Sequence, residues 1–241
     1  MTDAVSQLLE RIRAELRTVG SRAAHERSLR FFKPEERGEG YGVAAPKLKI
    51  VAQGIYREIK RWPVSDRDTL CTELWQGGSQ EEGGLVCYVY RRFARECGKR
   101  EFRLFTRWLD RYVHNWAHTD GLALWLLGAS VANQPGLMAE LDAWTASRNR
   151  WKRRAAAVCL VPSARKGLHT TAILRVAKLS LEDDDEMVQK GCGWLLKETY
   201  PKQPARVMRF LLPRRAKASR LLLRYAAEKM TADDRARILA T

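Results

Sequence analysis

The sequence predicts an all-α protein built from stacked helical repeats. Apolar residues recur at helical spacing from one end of the chain to the other, and no segment has the pattern of a convincing β-strand. In addition, a weak period of about 34 to 38 residues relates the starts of alternate helices. A chain of 241 residues is long for one compact core but ordinary for repeats that bury one another in turn. We therefore expect one elongated domain over residues 1–241.

The helix starts carry recognisable signals. Thr2 or Asp3 is suited to cap the first helix, and Pro46 suits the first turn of a later one. Ser79 and Glu82 have the spacing of a capping box. Together with the apolar pattern, these signals predict helices over about residues 3–17, 46–60, 80–97, 101–113, 118–131, 137–147, 150–160, 167–180, 184–199, 203–212, 215–229 and 232–240.

The weak period pairs a charged residue with a small one at four helix starts, namely Glu82-Gly83, Asp120-Gly121, Arg154-Ala155 and Lys190-Gly191. The small residue is explained by close helix packing, but the charged residue before it is not. If the repeats stack in register, Asp120, Arg154 and Lys190 lie along a shared groove. Arg220 follows about 30 residues later.

The net charge of +16 predicts a polyanionic partner. Lys and Arg displace condensed counterions from a phosphate backbone, which favours nucleic acid, with anionic lipid or the ribosome as alternatives. The chain has no run that approaches the roughly 18 apolar residues needed to span a bilayer. The first residues, Met1 to Val5, lack the pattern of a signal peptide. We therefore expect a cytoplasmic, nucleoid-associated protein that does not contact a membrane.

Three other features favour structural roles. The five cysteines include no Cys-x-x-Cys pair and have no histidines at zinc-ligand spacing, so we expect reduced core residues. The acidic run 182–186 precedes a helix start, where carboxylates complement the helix dipole, and capping is therefore favoured over metal binding. The glycine-rich segment 33–42 predicts a loop, which we interpret as a mobile flap.

The segment 115–120 contains the first candidates for chemistry. Trp116 and Asp120 are four residues apart, which is close enough to present an indole and a carboxylate to one site. The alternative is structural, with Trp116 in the core, Asp120 as a first-turn acid, and Thr119 or His118 near the cap. His118 is a candidate general base, although a lone histidine at a helix start is more often a cap or surface residue.

A second cluster, residues 149–154, gathers four cations around Trp151 at a predicted helix start. Cations are unfavourable at a helix N-terminus unless an anion is nearby, so Lys152, Arg153 and Arg154 predict a phosphate site. A solvated basic face is the alternative. A third segment, 188–194, ends at Trp194, which fits either the core or a groove lining.

Together these segments resemble the AlkD-like DNA glycosylases, the HEAT-like repeat family of DNA alkylation repair enzymes, over most of the chain. The shared motifs are Gly42-Val43-Ala44-Ala45-Pro46, Leu74-Trp75, Asn115-Trp116 with Asp120, Asn149 and Trp151 with Arg154-Ala155-Ala156, and Gln189-Lys190 with Gly193-Trp194, Glu198 and Tyr200. Several motifs in the family order are more specific than any one motif. The resemblance implies HEAT-like (ARM-type) repeats in a curved α-solenoid, with a concave basic groove that binds DNA.

The resemblance also implies the roles of individual residues. Asp120 is the expected catalytic carboxylate, Trp116 and Trp194 are aromatic walls, and Arg154 is a phosphate clamp. The other DNA contacts are expected from Trp151, Lys152, Arg153, Gln189, Lys190 and Arg220. A purine alkylated at a ring nitrogen, such as 3-methyladenine or 7-methylguanine, is already cationic and leaves without a general acid. A carboxylate and indole faces can then stabilise the oxocarbenium-like sugar, with no metal or cofactor.

Two positions depart from the family pattern. Ala117-His118 follow Trp116, where relatives usually have an aromatic or acidic residue, and this leaves open whether His118 alters the water-binding side of the site. Phe31 or Phe32 stands where a tyrosine is common, so the contacts of that hydroxyl would be lost.

The sequence and the resemblance therefore predict a monofunctional alkylpurine DNA glycosylase that acts as a monomer on duplex DNA and leaves an abasic site. Whether bulkier N3 or N7 adducts are also substrates stays open. Two alternatives stay open. One is a non-catalytic HEAT-repeat protein that binds damaged or branched DNA through the same groove. The other is a helical-repeat scaffold whose basic face binds acidic protein partners.

Overall fold

The computed structural model describes residues 1–240, which contain α-helices and short helical turns but no β-strand. The predicted all-α, helical-repeat fold class is therefore confirmed. No helix within this range is both long enough and apolar enough to cross a membrane. The α-helices are α1 (Asp3–Val19), α2 (Arg22–Ser28), α3 (Ala45–Ile59), α4 (Val64–Gln76), α5 (Gln80–Tyr90), α6 (Lys99–Arg111), α7 (Trp116–Leu122), α8 (Gly128–Asn133), α9 (Met138–Trp144), α10 (Arg150–Val158), α11 (Val161–Arg165), α12 (Thr170–Leu179), α13 (Glu186–Thr199), α14 (Pro204–Leu211), α15 (Arg220–Ala226) and α16 (Ala232–Leu239).

Short non-α segments connect several of these helices. Turns of 3₁₀ helix lie at Leu29–Phe31, Pro34–Glu36, Arg91–Glu96, Pro135–Leu137, Leu212–Arg214 and Ala227–Lys229. A five-residue π-helical segment, Ala123–Leu127, joins α7 to α8.

The chain forms two compact units. The first unit combines residues 1–96 with 111–121, and the second combines residues 97–110 with the chain from Leu122 onward. Each unit has its own buried core. The organisation of the whole chain as one domain stays a prediction.

In the first unit, α1 shows how the sequence pattern produces packing. Its buried residues are Val5, Leu8, Leu9, Ile12 and Leu16, which recur every three or four positions and form one apolar stripe. This stripe faces the unit's interior, where α1 packs on α4 and α3 packs on α5. Each fully buried aliphatic side chain contributes roughly 1.5–3 kcal/mol to stability.

In the second unit, α10, α13 and α15 lie side by side in that order. Glycines on α13 allow this close approach. A Cβ atom at Gly191 would lie 3.2 Å from Cγ of Arg154 on α10, and one at Gly193 would lie 2.6 Å from Cβ of Tyr225 on α15. The prediction that a small residue at position 191 allows close helix packing is therefore confirmed. Gly191 of α13 lies against Arg154 of α10, as expected if these two repeats stack in register.

Several helix boundaries differ from the predictions. The helix expected over 80–97 ends at Tyr90 and continues as a 3₁₀ turn, and the short helix α11 was not predicted. Ser79 caps α5 as expected, because its Oγ accepts hydrogen bonds from the N–H groups of Glu81 and Glu82. A capping box also requires the Glu82 carboxylate to accept the backbone N–H of Ser79. That part of the prediction is wrong, because within the described residues the carboxylate binds Arg13 and Tyr41. All five cysteines are buried and free, as predicted.

Candidate functional site

Helix α7 begins two residues earlier than predicted, at Trp116, because Asn115 is its N-cap. Asn115 Oδ1 accepts a hydrogen bond from the backbone N–H of His118 at 2.9 Å. The amide of the same side chain donates to Gln80 Oε1 at 2.9 Å, which ties the start of α7 to the start of α5. The cap is thus Asn115 rather than His118 or Thr119, because Asn115 is the last residue before the helical turn.

Trp116 and Asp120 lie one turn apart on α7, and both are partly exposed. Four residues of α-helix correspond to a rise of about 6 Å and place the two side chains on the same face. Asp120 is the fifth residue of the helix, so the structural interpretation as a first-turn acid is wrong. Trp116 is not a core residue either. The two residues therefore lie on one helix at the spacing that the sequence predicts, and their joint role stays a prediction.

The hydrogen-bond ladder widens directly after α7. The N–H of Gly128 donates to the carbonyl of Ala123, five residues earlier, which defines the π-helical segment. Such segments insert an extra residue into a helix and are frequent at functional sites. Here the segment begins three residues after Asp120.

Two phenylalanines hold the indole of Trp116. The ring of Phe32 stacks on it with centroids 5.6 Å apart and planes inclined by 27°. The indole Nε1–H donates to the backbone carbonyl of Phe31 at 3.1 Å. The Phe31 side chain itself is 61% exposed and lies beneath the guanidinium of Arg30, 4.9 Å from its ring centroid. Phe31 and Phe32 are the residues for which the resemblance suggested a tyrosine. They contact Trp116 through the ring of Phe32 and the backbone carbonyl of Phe31.

The loop that follows these phenylalanines is fastened at its C-terminal end by Glu81. The buried carboxylate accepts three backbone N–H bonds, from Tyr41 at 2.9 Å, Gly42 at 2.8 Å and Val43 at 3.0 Å. Gly42 has φ of +71°, a conformation that favours glycine and turns its N–H toward the carboxylate. Residues 34–36 form a 3₁₀ turn in the same loop, and the mobility expected for residues 33–42 stays a prediction.

The neighbouring carboxylate, Glu82, fastens the same loop through a side chain. Glu82 Oε1 accepts from the Tyr41 hydroxyl at 2.7 Å, and Arg13 donates to both carboxylate oxygens at 3.1 and 3.2 Å. Burial and the bond to Glu82 raise the pKa of Tyr41 to about 12. The bond to Glu82 also raises the pKa of Arg13. Glu82 is thus the buried partner of an ion pair whose arginine is partly exposed.

His118 is a core residue. It is therefore neither the general base nor the cap or surface residue that the sequence suggested. Its ring is buried, lies edge-on to Trp75 at 5.0 Å, and places Nε2 2.9 Å from the carbonyl of Gln80. Because a carbonyl can only accept, Nε2 carries the proton. Burial lowers the pKa of His118 to about 4, so the ring is neutral at pH 7.

In the second unit, carboxylates compensate the basic start of α10. Arg153 pairs with Asp183 at 2.7 Å, Lys152 pairs with Asp110 at 2.8 Å, and Arg150 pairs with Asp185 at 2.8 Å. The cap predicted for the acidic run is confirmed, because Asp185 accepts from the first N–H groups of α13. The same run also pairs with Arg150 and Arg153 of the basic cluster, a contact that the local sequence does not predict. Within residues 1–240, no group of three or more His, Cys, Asp or Glu side chains is arranged to hold a metal ion.

Arg154 is buried between α10 and α13, only 5% exposed. Its Nη1 donates to the carbonyl of Met187 at 2.5 Å, and its stem packs against Gly191. Trp151, one turn earlier on α10, is also buried beneath the guanidinium of Arg150. Arg154 therefore lies next to the Lys190-Gly191 pair, as the repeat register predicted.

The remaining predicted DNA contacts surround the starts of α13 and α15. Gln189 bridges the two helices, because its Nε2 donates to the Asp183 carbonyl and its Oε1 accepts from the Ser219 hydroxyl. Lys190 is partly exposed and lies 3.6 Å from Glu186. Arg220 is exposed and donates to the Leu239 carbonyl. The roles of these residues in DNA binding stay predictions.

Trp194 is partly exposed in the middle of α13, so it is not enclosed in the core. Its Nε1–H donates to Glu198 Oε1 at 3.3 Å, one turn later. Glu198 was not predicted as a site residue, although its four-residue spacing from Trp194 is the sequence signal for this contact.

The comparisons with known proteins agree with this picture. The family model for DNA alkylation repair enzyme matches residues 12–230. No curated protein is significantly similar in sequence. The solved structure of a predicted DNA alkylation repair enzyme from Enterococcus faecalis superposes with a TM-score of 0.78, at 15% sequence identity, over 88% of this chain and 97% of that chain. The chain belongs to the DNA alkylation repair enzyme family.

Proposed function

We propose that the protein is a DNA glycosylase that removes cationic alkylated purines, such as 3-methyladenine and 7-methylguanine, from duplex DNA. The observation that carries the proposal is the pairing of Trp116 and Asp120 on one partly exposed face of α7. Family membership supports a role in alkylation repair, and the net charge of +16 supports binding to a phosphate backbone.

The proposed reaction needs little from the protein. The bond between C1′ of the sugar and the purine nitrogen breaks, and its electron pair neutralises the positive charge of the base. The sugar then carries the charge, which the Asp120 carboxylate and the face of Trp116 stabilise as it develops. Water adds to C1′ and loses its proton to Asp120, which leaves an abasic site.

The proposed reaction stops at base removal. No lysine is specifically implicated as a nucleophile that would form a covalent intermediate with the sugar. His118 is neutral and bonded to a backbone carbonyl, so Asp120 is the proton acceptor that we assign.

In the second unit, we propose that Trp194 takes part in the same reaction and that Arg154 binds phosphate of the same duplex. Lys190, Arg220 and Gln189 are proposed to add backbone contacts near the starts of α13 and α15. Lys152 and Arg153 would exchange their carboxylate partners for phosphate oxygens, and Trp151 would support them from below. We propose that the protein acts as a monomer in the cytoplasm, associated with the nucleoid.

The test is release of free base from duplexes that contain 7-methylguanine or 3-methyladenine, comparing the wild type with Asp120→Asn. We expect release to fall by about 100-fold or more, the scale of losing a general base. Affinity for the duplex should hold or rise, because a negative charge is removed. Asp66→Asn is the matched control, since Asp66 is also a partly exposed carboxylate on a helix of the first unit. Equal release by wild type and Asp120→Asn would overturn the site assignment.

The same experiment distinguishes a DNA-binding protein without catalysis. If the wild type binds the duplex but releases no base from either substrate, the glycosylase proposal fails while DNA binding stands. Heating the product in alkali tests the monofunctional step, since strand cleavage should occur only after that treatment.

A further inference from the structure

A group of cations surrounds one buried carboxylate beside Trp194. Glu198 Oε2 accepts from Lys229 Nζ at 2.7 Å and from Arg165 Nε at 3.2 Å, while Oε1 accepts from the indole of Trp194. Lys202 lines the same open cavity, which has a volume of about 430 Å³. We call Arg165, Lys202 and Lys229 the α13-end cations.

The charge of this cavity is not balanced internally. Three cations face one carboxylate, so the group carries a net charge of +2. Burial alone would raise the pKa of Glu198, but the bonds from Lys229 and Arg165 outweigh it and lower the pKa to about 2. Glu198 is therefore ionised at neutral pH and holds two of the cations in fixed positions.

The cations have donors that face solvent. Arg165 uses Nε for Glu198, which leaves both terminal nitrogens of its guanidinium without a hydrogen bond inside the described chain. Lys202 forms no side-chain hydrogen bond or ion pair within residues 1–240 and is exposed. Arg165 and Lys229 are about half exposed, at 51% and 45%. A planar guanidinium flanked by ammonium groups suits a tetrahedral anion.

The position of the cavity relates it to Trp194. The Arg165 guanidinium lies 6.0 Å from the centroid of the Trp194 ring, and Glu198 bonds the same indole. A polyanion held by the α13-end cations would therefore run past the exposed part of Trp194.

We propose that the α13-end cations bind one phosphodiester group of the DNA backbone, with Glu198 as the residue that positions Arg165 and Lys229. This inference rests on the proposed function only in that duplex DNA is the source of the phosphate. A free phosphate ion has the same chemistry, and the experiment below separates the two sources.

The test compares wild type with Lys202→Gln, a variant that removes no side-chain hydrogen bond or ion pair within the described residues and keeps the part of the stem that lies beside Gly167, so it is expected to fold. Lys178→Gln is the matched control, because Lys178 is also an exposed lysine of the second unit. Affinity for an undamaged duplex is measured over a range of salt concentrations. We expect Lys202→Gln to reduce the slope of log affinity against log salt by about 1, and Lys178→Gln to leave it unchanged.

A second measurement localises the contact. Duplexes that carry one neutral methylphosphonate linkage, moved along both strands, should bind wild type less tightly at the contacted phosphate. Lys202→Gln should lose less affinity at that linkage than wild type loses, whereas Lys178→Gln should respond as wild type does. If Lys202→Gln and Lys178→Gln weaken binding equally, or if the methylphosphonate effects are the same in Lys202→Gln as in wild type at every linkage, the proposal is overturned.

Calorimetric titration with inorganic phosphate completes the test. Phosphate binding that Lys202→Gln abolishes, combined with unchanged DNA affinity, would assign the cavity to a free anion and refute the DNA contact. The base-release assay is separate from all three measurements. If Lys202→Gln leaves the salt slope unchanged while the wild type releases base, only the phosphate contact at this cavity is rejected. If Lys202→Gln reduces the slope but the wild type releases no base, only the glycosylase function is rejected.

Discussion

The ring of Phe32 stacks on the indole of Trp116 at 5.6 Å, while the carbonyl of Phe31 accepts the indole N–H. These two contacts fix both the plane and the edge of the indole. An aromatic wall that is placed before the substrate arrives loses little freedom on binding, which is one way in which positioning accelerates a reaction.

Phe32→Ala should therefore impair base release without abolishing DNA binding. We expect the value of kcat/KM to fall by about tenfold or more, because a misplacement of 1 Å can cost about 100-fold. The indole N–H resonance of Trp116 should shift in the ¹H–¹⁵N NMR spectrum. Phe31→Ala is the control, since it removes an exposed side chain and keeps the carbonyl. Unchanged kcat/KM for Phe32→Ala would show that the stack has no role in the reaction.

Glu81→Gln should loosen the loop that carries Tyr41. The neutral amide replaces a charged acceptor of three backbone N–H bonds, and we expect a loss of about 2 kcal/mol in the free energy of unfolding. Hydrogen exchange at Tyr41, Gly42 and Val43 should become faster. Glu35→Gln, at an exposed position of the same loop, should change neither quantity. Equal exchange in both variants would contradict the anchoring role.

His118 should make stability depend on pH in a defined window. Its pKa is about 4 in the folded protein and 6.5 in the reference state, so the unfolded chain binds the proton first as pH falls. Above pH 6.5 the ring is neutral in both states and has no effect on the free energy of unfolding. As the pH falls from 6.5 to 4, His118 lowers the free energy of unfolding by about 3 kcal/mol. His118→Gln should lack this decline between pH 6.5 and 4, as measured by urea unfolding. A wild-type and variant difference that is constant across this window would refute the neutral, buried ring.

Gly83→Ala and Gly54→Ala should have opposite effects. A Cβ atom at Gly83 would lie 2.6 Å from the Trp75 ring and 2.7 Å from the His118 ring, and such overpacking costs roughly 1–3 kcal/mol. At Gly54, inside α3, the added methyl group would meet no described atom within 4 Å apart from its chain neighbours and the backbone of its own helix. There we expect a gain of about 0.5–1 kcal/mol from helix propensity. Thermal unfolding of both variants measures the difference, and a destabilised Gly54→Ala would contradict the open surroundings.

The helical fold was predictable because it depends on local pattern, as the apolar stripe of α1 shows. The charged-small pairs also predicted the contact of Arg154 on α10 with Gly191 on α13. Glu82 is the third residue of its helix and Asp120 the fifth, so the period does not hold for that pair. The start of α7 was misplaced because Asn115 had to be recognised as the cap, and its bond to Gln80 on α5 is a long-range contact that the local pattern does not contain.

The placement of Trp116 and Asp120 on one helix was predictable, and their surroundings were less so. Four-residue spacing on a helix was enough to pair Trp116 with Asp120. The burial of His118 was not predictable, because it depends on Trp75 and on Gly83 leaving room for the ring. Similarly, Asp183 and Asp185 lie about 30 residues from the arginines that they neutralise, and no local rule brings them together.

Glu82 and Asp120 both lie near the start of a helix in the first unit, yet their surroundings differ. Arg13 and Tyr41 enclose Glu82, whereas Asp120 stays partly exposed. An acid near the start of a helix is therefore held at a fixed place on the backbone, whatever surrounds it. Whether that acid becomes a structural anchor or a reactive group depends on what the preceding chain wraps around it, so a repeat protein can acquire a new activity by changing its covering segments while its repeats stay the same.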